Sequence, residues 1–235
     1  GKGNISNYFS FIEQGLNDQD SDIVNQAIKA AGLSMAAEFI DKLIHFIPDK
    51  CYSVNVTIAL AQYGVEILPI LEVELADGSK TETHRKIPAI VENIESQRSV
   101  KFLFELLASE DFHVRTEALN SLTNLKTKFP FLHFDKKLVI HRILDEVKNI
   151  QNTLSVLYLQ TKLEKESHLP QYDSDELALN EARKSLIHLL ERRLDGGLER
   201  IFKLLGLKFP PDEIFSAYKS FQSSKPDIRI SSIEF

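Results

Sequence analysis

Tryptophan is absent from the 235 residues, and cysteine occurs once, at Cys51. A single cysteine excludes an intrachain disulfide, and the natural reading is a reducing compartment. Glycine (9) and proline (8) are sparse. With Leu, Ile, Ala, Glu and Lys abundant, that scarcity favours helix. Long apolar runs are missing as well. The longest candidates, such as "LVIHRIL", carry His or Arg and fall far short of the roughly 18–20 residues that cross a bilayer. The opening residues do not read as a signal peptide. Excess positive charge is also lacking, since 34 acidic residues face 28 basic ones for a net charge of −6. Binding a duplex needs a basic face that displaces counterions, so the balance argues against nucleic acid. It argues equally against adhesion to an anionic leaflet. What remains is 43% hydrophobic and 26% charged, as in an ordinary folded soluble protein. The length suits one large domain, two small ones or a solenoid.

The pattern that is present is a repeat. "VRTEALNSLTNL" (114–125) follows the acidic turn "SED". "IVNQAIKAAGLS" (23–34), "NVTIALAQYGVE" (55–66) and "HRKIPAIVENIE" (84–95) align with it. The alignment makes Ala27, Ala59, Pro88 and Ala118 equivalent, about 30 residues apart. Each of the three earlier copies runs on into a second apolar helix: "AAEFIDKLIHFI" (36–47), "GVEILPILEVEL" (64–75) and "RSVKFLFELLAS" (98–109). "SNYFSFIEQGL" (6–16) reads as the second helix of a truncated copy. One helix pair of this length cannot bury its own apolar face, whereas a stack of pairs buries a continuous core. Alanine at the equivalent position lets neighbouring helices approach closely. Acidic residues before the first helices suit the positive end of the helix dipole and supply caps. Pro88 is the exception, expected to remove one hydrogen bond and kink its helix.

The second half reads differently. Residues 133–166 form one long helix or two abutting ones, with Leu138, Ile143, Val147, Ile150, Leu154 and Leu157 as its apolar stripe. A polar loop (167–175) leads to a helix over 176–207, with a break or kink expected at Gly196–Gly197. A short helix over 212–221 follows Pro210–Pro211. "IRISSIEF" then places Arg229 where Arg115 stands in "VRTEALNSL", as if a repeat resumes. The chain opens "GKGN" without Met and stops inside this helical pattern, so the expectation is a piece of a larger protein.

The acidic turn, the Val–Arg pair, the small residue that follows and the 30-residue period resemble HEAT-repeat proteins, over residues 6–128 and again from about 200. The resemblance implies an all-α fold, a right-handed α-α superhelix built as a HEAT-like solenoid of antiparallel helix pairs. The division expected is 1–130, about four helix pairs with the first truncated, and 131–235, longer helices continuing the solenoid to a last cut repeat. Proline is common in first helices of HEAT repeats, which fits Pro88. A narrower likeness runs through "HRKIPAIVENIESQRSVKFLFELLASEDFHVRTEALNSLTNL" and "LERIFKLLGLKFPPDEIFSAYKSFQSSKPDIRISSIEF". These are similar to the HEAT region that some bacterial nucleotide (ATP:ADP antiporter-like) translocases carry after their membrane domain. That likeness implies a cytoplasmic region tethered through missing spans, with the transport residues elsewhere.

Candidate sites are few. His141 and Asp145 share a helix face four residues apart, but a metal needs three or four ligands, so a surface pair is expected. His45, His84, His113, His133, His168 and His188 are scattered without a constellation. "YDSDE" (172–176) lacks the offsets and glycine of a calcium loop and reads as a helix cap at Asp173, Ser174 or Asp175. "LDGG" (194–197) lacks the spacing of a phosphate loop. Cys51 is expected to be a buried thiol. Arg115 and Arg229 are expected to pack their stems and pair with an acidic turn of an adjacent repeat. No residue is assigned a catalytic, cofactor-binding or metal-binding role, and no cofactor is expected.

The functional expectation is therefore a non-catalytic scaffold with a protein partner: the attached transporter domain or another protein segment, with no nucleic acid and no membrane insertion. The alternative is a free-standing soluble HEAT adaptor. An enzyme of HEAT-like fold, a DNA glycosylase or a bilin lyase, is the weaker reading. The glycosylase needs a basic aromatic groove that this composition does not offer.

Overall fold

The computed structural model describes residues 5–77, 81–166 and 174–222. Every regular element among them is helical. In order they are α1 (Ile5–Leu16), α2 (Ser21–Ser34), α3 (Ile40–His45), α4 (Ser53–Ala61), α5 (Leu68–Ala76), α6 (Thr81–Val91), α7 (Gln97–Leu106), α8 (Phe112–Lys128), α9 (Lys136–Glu166), α10 (Ser174–Lys208) and α11 (Pro211–Phe221). Single 3-10 turns, Ala37–Phe39 and Gly64–Ile67, lead into α3 and α5. The chain is all-α, and its contacts divide it into two units, Gly1–His133 and Phe134–Phe235.

In the first unit the helices start where the sequence offers an acceptor to their orphan N–H groups. Asp20 Oδ1 accepts from the Asp22 N–H at 2.8 Å, Ser96 Oγ from Arg98 at 3.1 Å and Asp111 Oδ1 from His113 at 2.7 Å. From those starts the apolar residues fall on one face. Val24, Ala27, Ile28 and Ala31 are buried on α2; Val114, Ala118, Leu122 and Leu125 are buried on α8. Pro88 sits buried inside α6, which runs through it.

Packing follows the repeat. α2 packs on α4, α4 on α6, and α6 on α8. The intervening helices α1, α3, α5 and α7 pack on α2, α4, α6 and α8 respectively. The alanines mark the closest approaches. A Cβ added to Gly32 would lie 2.6 Å from the Ala59 Cα, and one added to Gly15 would lie 2.9 Å from the Ala27 Cβ. At Ala27 and Ala59 the small position is therefore half of a pair, matched by a glycine on the neighbouring helix.

Polar ties join residues about one repeat apart. Asn55 Nδ2 donates to Asn25 Oδ1 at 2.7 Å, Arg85 Nε to Asp111 Oδ2 at 3.1 Å, and Asn124 Nδ2 to Glu92 Oε2 at 3.0 Å. Lys128 Nζ reaches Glu92 Oε1 at 3.0 Å. The Gln97 amide exchanges two hydrogen bonds with the His133 backbone. The Tyr63 hydroxyl lies 3.0 Å from the Ala36 carbonyl oxygen and 3.2 Å from that of Ala31. Burial, with the nearby Glu38 carboxylate adding to it, pushes the Tyr63 phenol up to about 12. It therefore stays a neutral donor at physiological pH.

The second unit is built otherwise. α9 and α10 are single helices of 31 and 35 residues, packed side by side, and α11 packs on α10. Arg200 on α10 donates to Glu146 on α9 at 2.9 Å, with both side chains mostly buried. One turn further along α9, Ile150 meets Gly197, which precedes Arg200 on α10, so the two helices run antiparallel. Of the break or kink expected at Gly196–Gly197, the break does not occur: α10 is continuous through both. A Cβ on Gly197 would lie 2.9 Å from Ile150 Cγ1, so this glycine serves close helix packing. Of the expected α9 stripe, Ile143, Val147, Ile150 and Leu157 are partly buried. Leu138 and Leu154 are about half exposed, while Val139 and Thr153 are buried. Phe202 packs against Tyr218 and Phe221 with tilted rings, centroids 5.0 and 6.0 Å apart, tying α11 to α10.

No single described helix is long and apolar enough to cross a membrane. α4 and the segment Gly64–Ala76 pass that test only when taken together, and they are bent by 111° at their junction.

Candidate functional site

The residues singled out in the sequence are mostly dispersed in the structure. His141 and Asp145 do share a face, but at 3.8 Å, with the imidazole 70% exposed, and Asp145 also meets Arg142 at 3.5 Å. His188 lies 3.9 Å from Glu191 in a similar exposed pair. Among the described residues no three His, Cys, Asp or Glu side chains form a group able to hold a metal. Gly196 and Gly197 are helical. Residues 167–173, with His168 and the start of the "YDSDE" cap, and the stretch 223–235 with Arg229, lie outside the described residues.

Two expectations need correction. Cys51 is exposed rather than buried. It sits in the turn before α4, where its N–H donates to Asp49 Oδ1 at 2.8 Å and directs the local chain. Arg115 does not reach an adjacent acidic turn. Its Nη1 donates to the backbone oxygens of Ser109 and Glu110, at 2.6 and 2.9 Å, and its guanidinium lies over the Phe112 ring. Arg115 thus holds the turn leading into its own helix. The arginine that pairs across repeats is Arg85, with Asp111. Burial raises the Asp111 carboxyl, but the His113 N–H and the Arg85 guanidinium outweigh that, and its pKa falls below the ordinary value.

A cleft between α3 and α5 is what sequence reading missed. Its volume is about 450 Å³, within the usual range for ligand pockets. Asp41, Ile44, His45 and Pro48 line one wall, Ile70, Val73 and Glu74 the other, and the buried Thr83 of α6 also lines it. His84 Nε2 lies 3.0 Å from the Glu74 backbone oxygen, fastening the end of α5 to α6. The seam on the other side of α3 is bridged. There the rings of Phe9 and Phe39 meet edge to face at 5.4 Å, and Lys42 pairs with Glu13.

No family model matches this chain, and no curated protein matches it. Among solved structures, the crystal structure of an engineered protein aligns over 95% of this chain and 92% of its own, at 14% identity. Its TM-score of 0.32 is too low to bear on fold or function. The α1–α3 seam is bridged by an ion pair, and the α3–α5 seam carries a carboxylate on each wall. The only signal in sequence was the Asp41–His45 spacing, and nothing there placed Glu74 opposite it.

Proposed function

We propose that the chain is a non-catalytic scaffold of HEAT type: a right-handed superhelix of helix pairs that serves as the cytoplasmic, interaction-bearing part of a bacterial transporter resembling nucleotide translocases. The observation that carries the scaffold reading is the coincidence of two periods. Residues about 30 apart in sequence are hydrogen-bonded neighbours, as in Asn25–Asn55 and Glu92–Asn124. The first helices α2, α4, α6 and α8 meet in that order. Each pair then depends on its neighbours for burial, the quasi-one-dimensional logic of helical repeats, and leaves long helix faces available to a protein segment. The transporter attachment is supported by the likeness of residues 84–125 and 198–235 to the region following such membrane domains.

The test is made on the parent reading frame. Upstream sequence should encode several spans of about 20 apolar residues. Removing the 235 residues should leave nucleotide exchange by the membrane part in place while changing its regulation or abundance. A reading frame without spans would overturn the transporter attachment and leave a soluble adaptor.

A further inference from the structure

We infer that the α3–α5 cleft binds a neutral small molecule, an apolar ring carrying one hydroxyl group, with Thr83 as its hydrogen-bonding partner. The inference goes beyond the scaffold reading and does not depend on it. It starts from a hydroxyl that behaves unlike the others. Thr57, Thr116, Thr123, Thr127 and Thr153 each donate to the carbonyl four residues earlier, at 2.8 to 3.0 Å. Thr83 is as buried as Thr153, each being 5% exposed. It stands in the first turn of α6, ahead of any helical carbonyl to which its hydroxyl can return. Among the described residues that hydroxyl has no hydrogen-bond partner, and Thr83 lines the cleft. A buried hydroxyl left unpaired costs free energy, which the polar group of a ligand recovers.

The surroundings set the rest of the ligand. Ile44, Pro48 and Ile70 give the cleft apolar lining, and Val73 beside them is 73% exposed. A ring covers such walls with little conformational entropy to lose. The volume of about 450 Å³ suits a small molecule rather than one side chain of a partner. Asp41 on one wall and Glu74 on the other repel an anion. Glu74 is already engaged within the chain, so no cation is called for. A neutral ring with a hydroxyl meets neither difficulty. Its body displaces water from the apolar walls, and its oxygen donates and accepts from a single atom, as the Thr83 hydroxyl does.

The experiment is a titration of the full 235-residue chain, followed by amide chemical shifts. The probe is 4-ethylphenol. Ethylbenzene, which lacks the hydroxyl, and 4-ethylbenzoate, which carries a charge, are its controls. Saturable shifts are expected at Ile44, Val73 and Thr83 with 4-ethylphenol, and none there with 4-ethylbenzoate. Thr83→Val keeps the shape of the side chain and removes its hydroxyl. It should weaken 4-ethylphenol by about fivefold and leave ethylbenzene within about twofold. Thr83→Ser keeps the hydroxyl and should hold 4-ethylphenol within about twofold of the parent. Circular dichroism on both variants checks that they fold. The inference is overturned by the absence of saturable shifts at the cleft, or by 4-ethylbenzoate binding as tightly as 4-ethylphenol. It is overturned equally if Thr83→Val leaves the ratio of the two neutral affinities unchanged, or if Thr83→Ser binds no better than Thr83→Val. None of these outcomes touches the reading-frame and deletion test, so the scaffold reading and the ligand site fail separately.

Discussion

The two units spend similar apolar composition in opposite ways. In the first, helices of 6 to 17 residues stack so that α4 and α6 each meet three or more others, and Ile28, Leu43, Leu60, Ile67 and Leu71 are sealed from solvent. In the second, two helices of 31 and 35 residues lie against each other. Among the described residues there, only Phe134, Val139, Leu204 and Leu207 are buried apolar side chains, while Leu144, Tyr158 and Leu189 stand more than half exposed. A helix with one or two partners leaves much of its surface in solvent, and a helix with three buries most of its circumference. Local stability should follow that difference, because few buried contacts mean low-energy local opening.

Paired substitutions test the contrast, and amide exchange is the appropriate readout because two units need not unfold together. Leu60→Ala removes a fully buried side chain and should cost about 3 kcal/mol of protection across α2, α4 and α6. Leu189→Ala, 60% exposed, should stay within about 0.5 kcal/mol. Equal costs would erase the distinction between the units.

The glycines give a second pair. Gly32→Ala drives a Cβ against the Ala59 backbone, which cannot swing aside, and should destabilise by about 2 kcal/mol. Gly197→Ala meets side-chain atoms of Ile150, Cγ1 and Cδ1, rather than backbone, and gains helix propensity of about 1 kcal/mol. The two terms should leave it near neutral in thermal or urea unfolding. Without substitution, amides in the middle of α9 and α10 should exchange faster than those of α6 and α8.

Asp111 tests the cap and its cross-repeat tie. Asp111→Ala should cost about 1 kcal/mol. Because folding lowers this carboxyl's pKa, its contribution is complete above the unfolded value of about 3.9 and disappears as pH falls through the lower folded one. Acid titration of unfolding should therefore show a smaller loss of stability, as pH falls below about 4, in the alanine variant than in the parent.

Helices, period and small positions were legible because they depend on burial at fixed spacing. Ala27 and Ala59 could be named from sequence, but their partners Gly15 and Gly32 could not, since which faces meet is decided between helices rather than along one. Gly196–Gly197 misled for the same reason: local propensity favours a break, and packing against Ile150 overrides it. The Arg115 contact was misassigned because the arm is long enough to turn back onto Ser109 and Glu110 as easily as to reach across. The cleft was illegible because it depends on a gap between two helices, which no single stretch encodes.

Cys51 is the only thiol and it is exposed. Each molecule therefore has a valence of one toward sulfur chemistry. Air oxidation can join two copies and must stop there, and a maleimide dye will attach once, at the turn before α4.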